Sequence, residues 1–258
     1  KDWGITGKEF VGCDVWHCHE STFLLNKGAP VAGTLKFRYS SDSEFIVESK
    51  SMKLYLNSFD MCRMSESVKD AISSYENQVK LDLENILQTQ VDIKFHSNED
   101  NSVFLPYSYQ RLEDSIDLGT IDISDYKAQE SYFKTKETKN SSFEHYYTNI
   151  LRSRCRHTKQ KDTGTAYFSI YSNNGQVDEE SLFRQIVSLR DLNEFHEFCA
   201  EKLFIEIKKD LRVEKCLVAL LYARRGSLDI NPIRVSSLDL LPQDYINVNN
   251  YSHKTQGQ

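Results

Sequence analysis

With 258 residues, 39% of them hydrophobic, the chain is long enough to bury a core as one large domain or two small ones. A formal charge of −6 argues against a nucleic-acid binder driven by phosphate neutralisation, and no apolar run approaches the length of a bilayer span. Six cysteines, at 13, 18, 62, 155, 199 and 216, are too sparse for a disulfide scaffold, and no charged-apolar-small leader opens the chain. Reduced thiols and a cytoplasmic location are therefore expected.

In chain order, Cys13-Asp-Val-Trp-His-Cys-His-Glu20 is the one metal-like cluster. It alternates as a strand does, with Val15, His17 and His19 on one face and Trp16 and Cys18 on the other. No second Cys or His pair follows at finger spacing, so strand packing is expected and no metal. From Thr34 to Tyr39, Leu35, Phe37 and Tyr39 alternate with Lys36 and Arg38, which predicts a half-buried antiparallel strand with the two cations outward. Ser40 to Glu44 should turn into a second strand ending at Phe45-Ile-Val47, the two forming a hairpin. A helix is predicted from about Ser65. Its apolar face is Val68, Ile72, Tyr75, Val79, Leu83 and Leu87, and Ser67 with Asp70 forms a capping box. Val91, Ile93 and Phe95 then alternate as a further strand.

From His96 to Tyr147 the chain is polar, with Leu118-Gly-Thr-Ile-Asp-Ile123 expected as a strand and Thr135–Ser142 as a linker or exposed loop. The second half repeats the first. Tyr167–Tyr171 is a strand and Asn173–Gly175 a turn. Asp178 caps a helix through Leu182, Phe183, Ile186 and Val187. Asp191 caps the next, which buries Phe195, Cys199, Leu203 and Ile207. Cys216–Tyr222 is an apolar strand. The fold class expected is α+β, with antiparallel sheets carrying helices on one face, in two tandem modules at 1–130 and 131–258.

Four stretches carry chemistry. Glu48-Ser-Lys-Ser-Met-Lys53 packs a carboxylate, hydroxyls and two lysines into a chain crossover, where Glu48 suits the N–H groups of a polar ligand and Lys50 and Lys53 a phosphate; composition alone fits a solvated turn as well. Cys155 lies among Arg154, Arg156 and His157, whose positive charge would lower a thiol pKa, and Asp162 follows seven residues on as a proton source. In Asn193-Glu-Phe-His-Glu197, His196 and Glu197 fall near a helix N-terminus. Arg225-Gly226 offers a guanidinium and a close backbone approach to a phosphate.

The run from Glu48 to Phe59 resembles, without a gap, the Glu-Ser-Lys-Ser signature of the NADPH-dependent 7-cyano-7-deazaguanine reductases, the nitrile reductases of queuosine tRNA-modification biosynthesis. Cys155, Thr158, Gln160, Asp162 and Gly164 match that family's Cys-to-Asp loop, and Asn193–Glu197 matches its substrate motif. The resemblance spans about Trp16 to Arg234 and is closest to the bimodular branch. It implies two tunnelling-fold modules related to GTP cyclohydrolase I, a homodimer joined through sheet edges, and NADPH used twice per turnover. The implied catalytic residues are Cys155, Asp162 and His196. Val47, Glu48, Ser49, His196 and Glu197 would bind substrate, and Ser49, Lys50, Lys53, Arg225 and Gly226 the cofactor. Cys155 would add to the nitrile carbon to give a thioimide, Asp162 would protonate the nitrogen, and hydride transfer would follow; no metal, nucleic acid or membrane is required. The family usually has Pro before the catalytic Asp and an aromatic after it, where Lys161 and Thr163 stand here, and apolar residues where Arg156 and His157 follow the cysteine. The alternatives are a tunnelling-fold amidine-forming enzyme using the same thioimide and a non-catalytic purine- or pterin-binding module. The intact Glu48–Lys53 motif disfavours the first, and Cys155 paired with Asp162 the second.

Overall fold

The computed structural model describes residues 5–97, 102–103, 108–123, 126–128, 131–136, 142–172, 175–255 and 258. Its frame is one eight-stranded sheet in the order β3-β2-β1-β11-β10-β8-β7-β5. The first half supplies β1 (Val11–Leu24), β2 (Pro30–Ser40), α1 (Ser49–Asn57), α2 (Val68–Leu87) and β3 (Val91–His96). Short strands β4 (Ser102–Val103), β5 (Gln110–Arg111) and β6 (Thr135–Lys136) follow. The second half supplies β7 (Phe143–Arg154), β8 (Lys161–Tyr171), β9 (Gln176–Val177), α3 (Glu179–Ser188), α4 (His196–Asp210), β10 (Lys215–Tyr222) and β11 (Leu228–Val235). The chain closes with α5 (Gln243–Ile246) and β12 (Tyr251–Ser252). Every pairing in the large sheet is antiparallel except β5 with β7. This is an α+β architecture, and β1 against β11 joins the two halves through the register Val11↔Val235 to Cys18↔Leu228.

Alternation decides which residue goes where. Trp16 and Cys18 of β1, Leu35 and Phe37 of β2 and Leu228 and Ile230 of β11 point to the side where α2 lays Tyr75, Val79, Leu83 and Leu87. The α2 cap is as expected, with Ser67 Oγ accepting from the Asp70 amide, but Val68 is exposed and the buried stripe begins at Ala71. In the second half α3 and α4 bury Leu182, Ile186, Cys199, Leu203 and Ile207 against Phe168 and Val218. The opposite side of the sheet centre is not left to water. Cys13, Val15, Leu217, Ala219 and Ile233 pack there under Leu240, Tyr245 and Ile246 of the C-terminal segment.

That covering segment corrects the expectation that Lys36 faces outward. Lys36 is fully buried, and its Nζ donates to the carbonyls of Tyr245 (2.6 Å), Asn247 (3.1 Å) and Asn250 (2.9 Å) and to Ser252 Oγ (2.7 Å). Arg38, next outward on the same face, pairs with Asp92 at the surface. Other expectations are corrected as well. Phe45–Val47 is not a strand, so the hairpin is β1–β2, and the signature run itself is helix α1. Met52, Leu56 and Phe59, spaced four and three apart, bury one face of that segment. Leu118–Ile123 is a turn and irregular chain rather than a strand. Thr135–Lys136, expected in a linker, pairs with Gln176–Val177; residues 137–141 and 173–174, in the expected linker and turn, lie outside the described residues. Asp178 caps α3 through the Ser181 amide. Asp191 is not the cap of α4, because it ends a 3-10 turn over Leu189–Asp191 and α4 starts five residues later with Phe195 at its N-cap.

Candidate active site

The β7–β8 hairpin brings Cys155 and Asp162 together. Arg154 pairs with Lys161 and Ser153 with Asp162, and Cys155–Gln160 forms the turn. The Cys155 amide donates to the Gln160 carbonyl (2.9 Å) and the Lys159 amide to the Cys155 carbonyl (3.0 Å). Gly164, two residues into β8 beyond Asp162, sits so close to β10 that a Cβ there would meet the Leu221 carbonyl at 2.3 Å. The Arg154 amide donates to the Leu192 carbonyl (2.9 Å), which ties the hairpin to the chain entering α4. This tie places His196 and Glu197, the first two residues of α4, beside the cysteine.

Burial raises the Cys155 thiol, but hydrogen bonds from the Thr158 hydroxyl and from the Thr158 and His157 amides outweigh it and hold the thiol below its ordinary range. The flanking arginines, expected to do this, are engaged elsewhere: Arg154 faces Asp191 (3.4 Å), and Arg156 faces Glu194 (3.5 Å) over the Phe195 ring. Phe195 itself lines the cleft instead of entering the core as expected, because it stands outside the helix at the cap.

Asp162 is 4% exposed. Its Oδ1 accepts from Arg225 Nη1 (2.6 Å), and its Oδ2 lies 3.5 Å from His196 Nε2. Arg225 Nη2 also donates to Gln160 Oε1. Burial pushes Asp162 up, yet His196 and Arg225 together more than offset it and hold the carboxyl below the usual range. The imidazole of His196 stacks flat on the Tyr222 ring, 3.7 Å apart and 6° from parallel, which fixes its plane toward Asp162. Arg225–Leu228 is a tight turn with Gly226 and Ser227 both at positive φ, the pattern of a type I′ hairpin. A Cβ on Gly226 would meet Lys53 Nζ at 3.0 Å, so glycine allows the ammonium to lie on the turn.

Glu197 is buried, and its Oε1 has no hydrogen-bond partner among the described residues. Burial first, and the nearby Asp14 carboxylate second, push it up to about 8. Across the cleft, Glu48 caps α1, its Oε1 accepting from the Lys50 amide (3.0 Å) and its Oε2 from the Ser51 amide (2.7 Å) and hydroxyl (2.8 Å). A carboxylate has room for about four such bonds, so one acceptor position remains.

These parts line one cleft of about 350 Å³. All the residues expected at the site reach it: Val47, Glu48, Ser49, Lys50, Lys53, Cys155, Asp162, His196, Glu197, Arg225 and Gly226. The first half thus contributes the start of α1, and the second half the hairpin, the start of α4 and the β10–β11 turn. Sequence reasoning missed Leu228 and Ile230, which form the apolar wall; their alternation with Asp229 was the available signal. It also missed Tyr222 behind His196, which ends the apolar run of β10. The residues present suit a phosphate-bearing nucleotide, since Lys53 lies on the Gly226 turn and Lys50 and Arg225 line the same cleft. No group of three or more metal-ligating side chains occurs among the described residues, and no helix is long and apolar enough to cross a membrane.

A thiol held below its ordinary range, a buried carboxylate and a stacked imidazole beside a cationic rim make this cleft the candidate active site of an enzyme on an α+β scaffold. Residues 2–95 match the model of the family described as "Nitrile reductase, 7-cyano-7-deazaguanine-reductase N-term". Proteins named NADPH-dependent 7-cyano-7-deazaguanine reductase are similar along most of the chain. The one from Colwellia psychrerythraea is 33% identical over 236 residues, covering 90% of this chain and 80% of the relative. That from Psychrobacter cryohalolentis is 34% identical over 243 residues (90% and 82%), and that from Coxiella burnetii 32% over 225 (87% and 77%). The chain belongs to the family of NADPH-dependent 7-cyano-7-deazaguanine reductases.

Proposed function

We propose that this chain reduces the nitrile of 7-cyano-7-deazaguanine to the aminomethyl group, an oxidoreductase step of queuosine biosynthesis with NADPH as co-substrate. The observation that carries the reading is the single cleft in which Cys155, Asp162, His196 and the unpartnered oxygen of Glu197 face the cationic start of α1. Cys155, as thiolate, adds to the nitrile carbon and forms a thioimide, while Asp162 gives a proton to the nitrogen where charge develops. For that step Asp162 must first gain a proton, which its ion pair with Arg225 opposes. His196, held flat by Tyr222, orients the intermediate or passes a proton to it. Glu197 and the remaining position of Glu48 accept ring N–H groups, with Val47 and Ser49 beside them, and Leu228 and Ile230 exclude water. Bound NADPH supplies hydride, two equivalents for the four electrons between nitrile and amine. Ser49, Lys50, Lys53, Arg225 and Gly226 hold its phosphates.

The finer organisation follows the same reading. Residues 1–130 and 131–258 are read as two tunnelling-fold modules related to GTP cyclohydrolase I; each contains a long hairpin, two helices after it and a strand that returns to the sheet. A homodimer would cover the outer sheet strands β3 and β5. Six free cysteines suit the reducing cytoplasm. Coupled measurement of NADPH oxidation and amine formation tests the function. Two NADPH consumed per nitrile is the expected result, and nitrile turnover without NADPH oxidation would overturn it.

A further inference from the structure

Behind the Glu197 end of the cleft, between α4 and the sheet, ionisable side chains share one buried space. Arg234 of β11 is 1% exposed. Its Nη1 donates to Asp14 Oδ1 of β1 (2.7 Å), and its Nη2 and Nε donate to Glu201 Oε1 of α4 (2.9 and 3.3 Å). Nη1 also reaches the carbonyls of Cys13 and Ile233, and the guanidinium lies 5.4 Å from the Phe10 ring. Each guanidinium nitrogen is therefore already engaged. Glu197 stands one helical turn before Glu201 and shares its face of α4. The remaining titratable groups near it are Tyr39 of β2 and Cys199 of α4, both kept neutral by burial. Beyond Glu201 lies Glu9, and on the cleft side stand His196 and, across the opening, Glu48.

Three carboxylates, Asp14, Glu197 and Glu201, thus face one guanidinium. Asp14 and Glu201 hold it by direct hydrogen bonds, and Glu197 does not. A buried set of this composition favours keeping one proton, and the carboxyl with no hydrogen bond to the guanidinium, Glu197, is the one that would hold it. The substrate reverses that preference. The pyrimidinone edge of a guanine-like ring presents two N–H donors side by side. An ionised carboxylate accepts both, whereas a protonated one must turn its own O–H toward one of them.

We infer that ring binding at Glu197 expels a proton to solvent, and that Asp14, Arg234 and Glu201 are positioning residues that set this exchange. The inference rests on Glu197 being the ring acceptor. In balance, the neutral carboxyl of Glu197 loses its proton to buffer as its two oxygens take the ring N–H groups; no electrons move. The raised affinity of Glu197 for its proton, near 8, agrees with the geometry.

Calorimetric titration of the Cys155→Ala protein with 7-cyano-7-deazaguanine, in buffers of different ionisation heat, counts the protons. Release of a proton is expected at pH 7, with fewer protons leaving as the pH rises to 8.5 and affinity increasing over that interval. Titration of the ligand alone corrects for its own ring N–H. Glu201→Gln keeps an acceptor for Arg234 and removes one negative neighbour, so it should reduce the release at pH 7 and tighten binding there. Asp14→Asn should act in the same direction. Tight binding with no proton released, or a proton count unchanged in both variants, would overturn the inference. Glu197→Gln binding as tightly as the parent would instead remove Glu197 as ring acceptor, a failure of the functional reading itself.

Discussion

Glu48 caps α1 and, in the proposed function, also accepts a ring N–H; a pair of substitutions separates the two. Its carboxylate closes the first turn of α1 through the Lys50 and Ser51 amides, and one acceptor position faces the cleft. Glu48→Ala removes both. Loss of an N-cap costs about 1 kcal/mol, which speeds opening of a first-turn amide about fivefold. Loss of a charged hydrogen bond to a ring N–H costs about 1.5–3 kcal/mol, or roughly one to two orders of magnitude in affinity. Glu48→Ser restores an oxygen able to cap the helix but too short to reach the ring. Hydrogen exchange at the Met52 amide, which bonds the Glu48 carbonyl, reads the cap. Calorimetry of nitrile binding to the Cys155→Ala background reads the ligand contact. Glu48→Ala is expected to lose on both measures, and Glu48→Ser to recover exchange protection without recovering affinity. If Glu48→Ser bound the nitrile as the parent does, the carboxylate would be a cap alone and the substrate role would be refuted.

Further expectations concern the chemistry and the core. The protein mixed with nitrile alone should gain one ligand mass and a thioimide absorbance, and Cys155→Ala should show neither by intact mass or spectrum. Asp162 is held below its ordinary range, so adduct formation that needs its proton should slow as pH rises through that low value. Arg225→Met relieves the opposing charge and should carry the decline to higher pH, giving faster adduct formation at pH 7 by stopped flow; an unchanged profile would remove Asp162 as the acid. NADPH should outperform NADH, and Lys53→Ala should narrow the ratio of kcat/KM values. Lys36→Met strands the three carbonyls and hydroxyl that its Nζ joins, at a cost of about 3 kcal/mol, lowering Tm by about 6–12 °C.

Much of this was legible wherever burial is one-sided. The alternation in β2 and the spacing in α2 follow directly from sheet and helix periods, and the Ser67 cap from its residue type. The residues expected at the site line one cleft because four short motifs carry them. What was lost follows from distance and from irregularity. Lys36 looked like an outward cation because its acceptors lie more than two hundred residues away in the covering segment. β7 was invisible because a register shift between Thr148 and Leu151 breaks its alternation and its outer face is polar. The signature run reads as a chain crossover after a strand end, although Met52, Leu56 and Phe59 have helical spacing.

The pairing of β1 with β11 has a consequence for how the chain comes into being. His17 lies 212 positions from the Asp229 it contacts across that seam. During synthesis β1 and β2 are complete long before any residue of β11 leaves the ribosome, so β1 must wait with one hydrogen-bonding edge unsatisfied. Loop closure across such a span is slow relative to a local hairpin. Because Arg225, Gly226, Leu228 and Ile230 belong to β11, the last strand of the large sheet to be made, and its turn, the cleft acquires its wall and its guanidinium only late. Nascent chains stalled before residue 225 should therefore be folded in part, chemically inert, and the form most exposed to aggregation through the waiting edge.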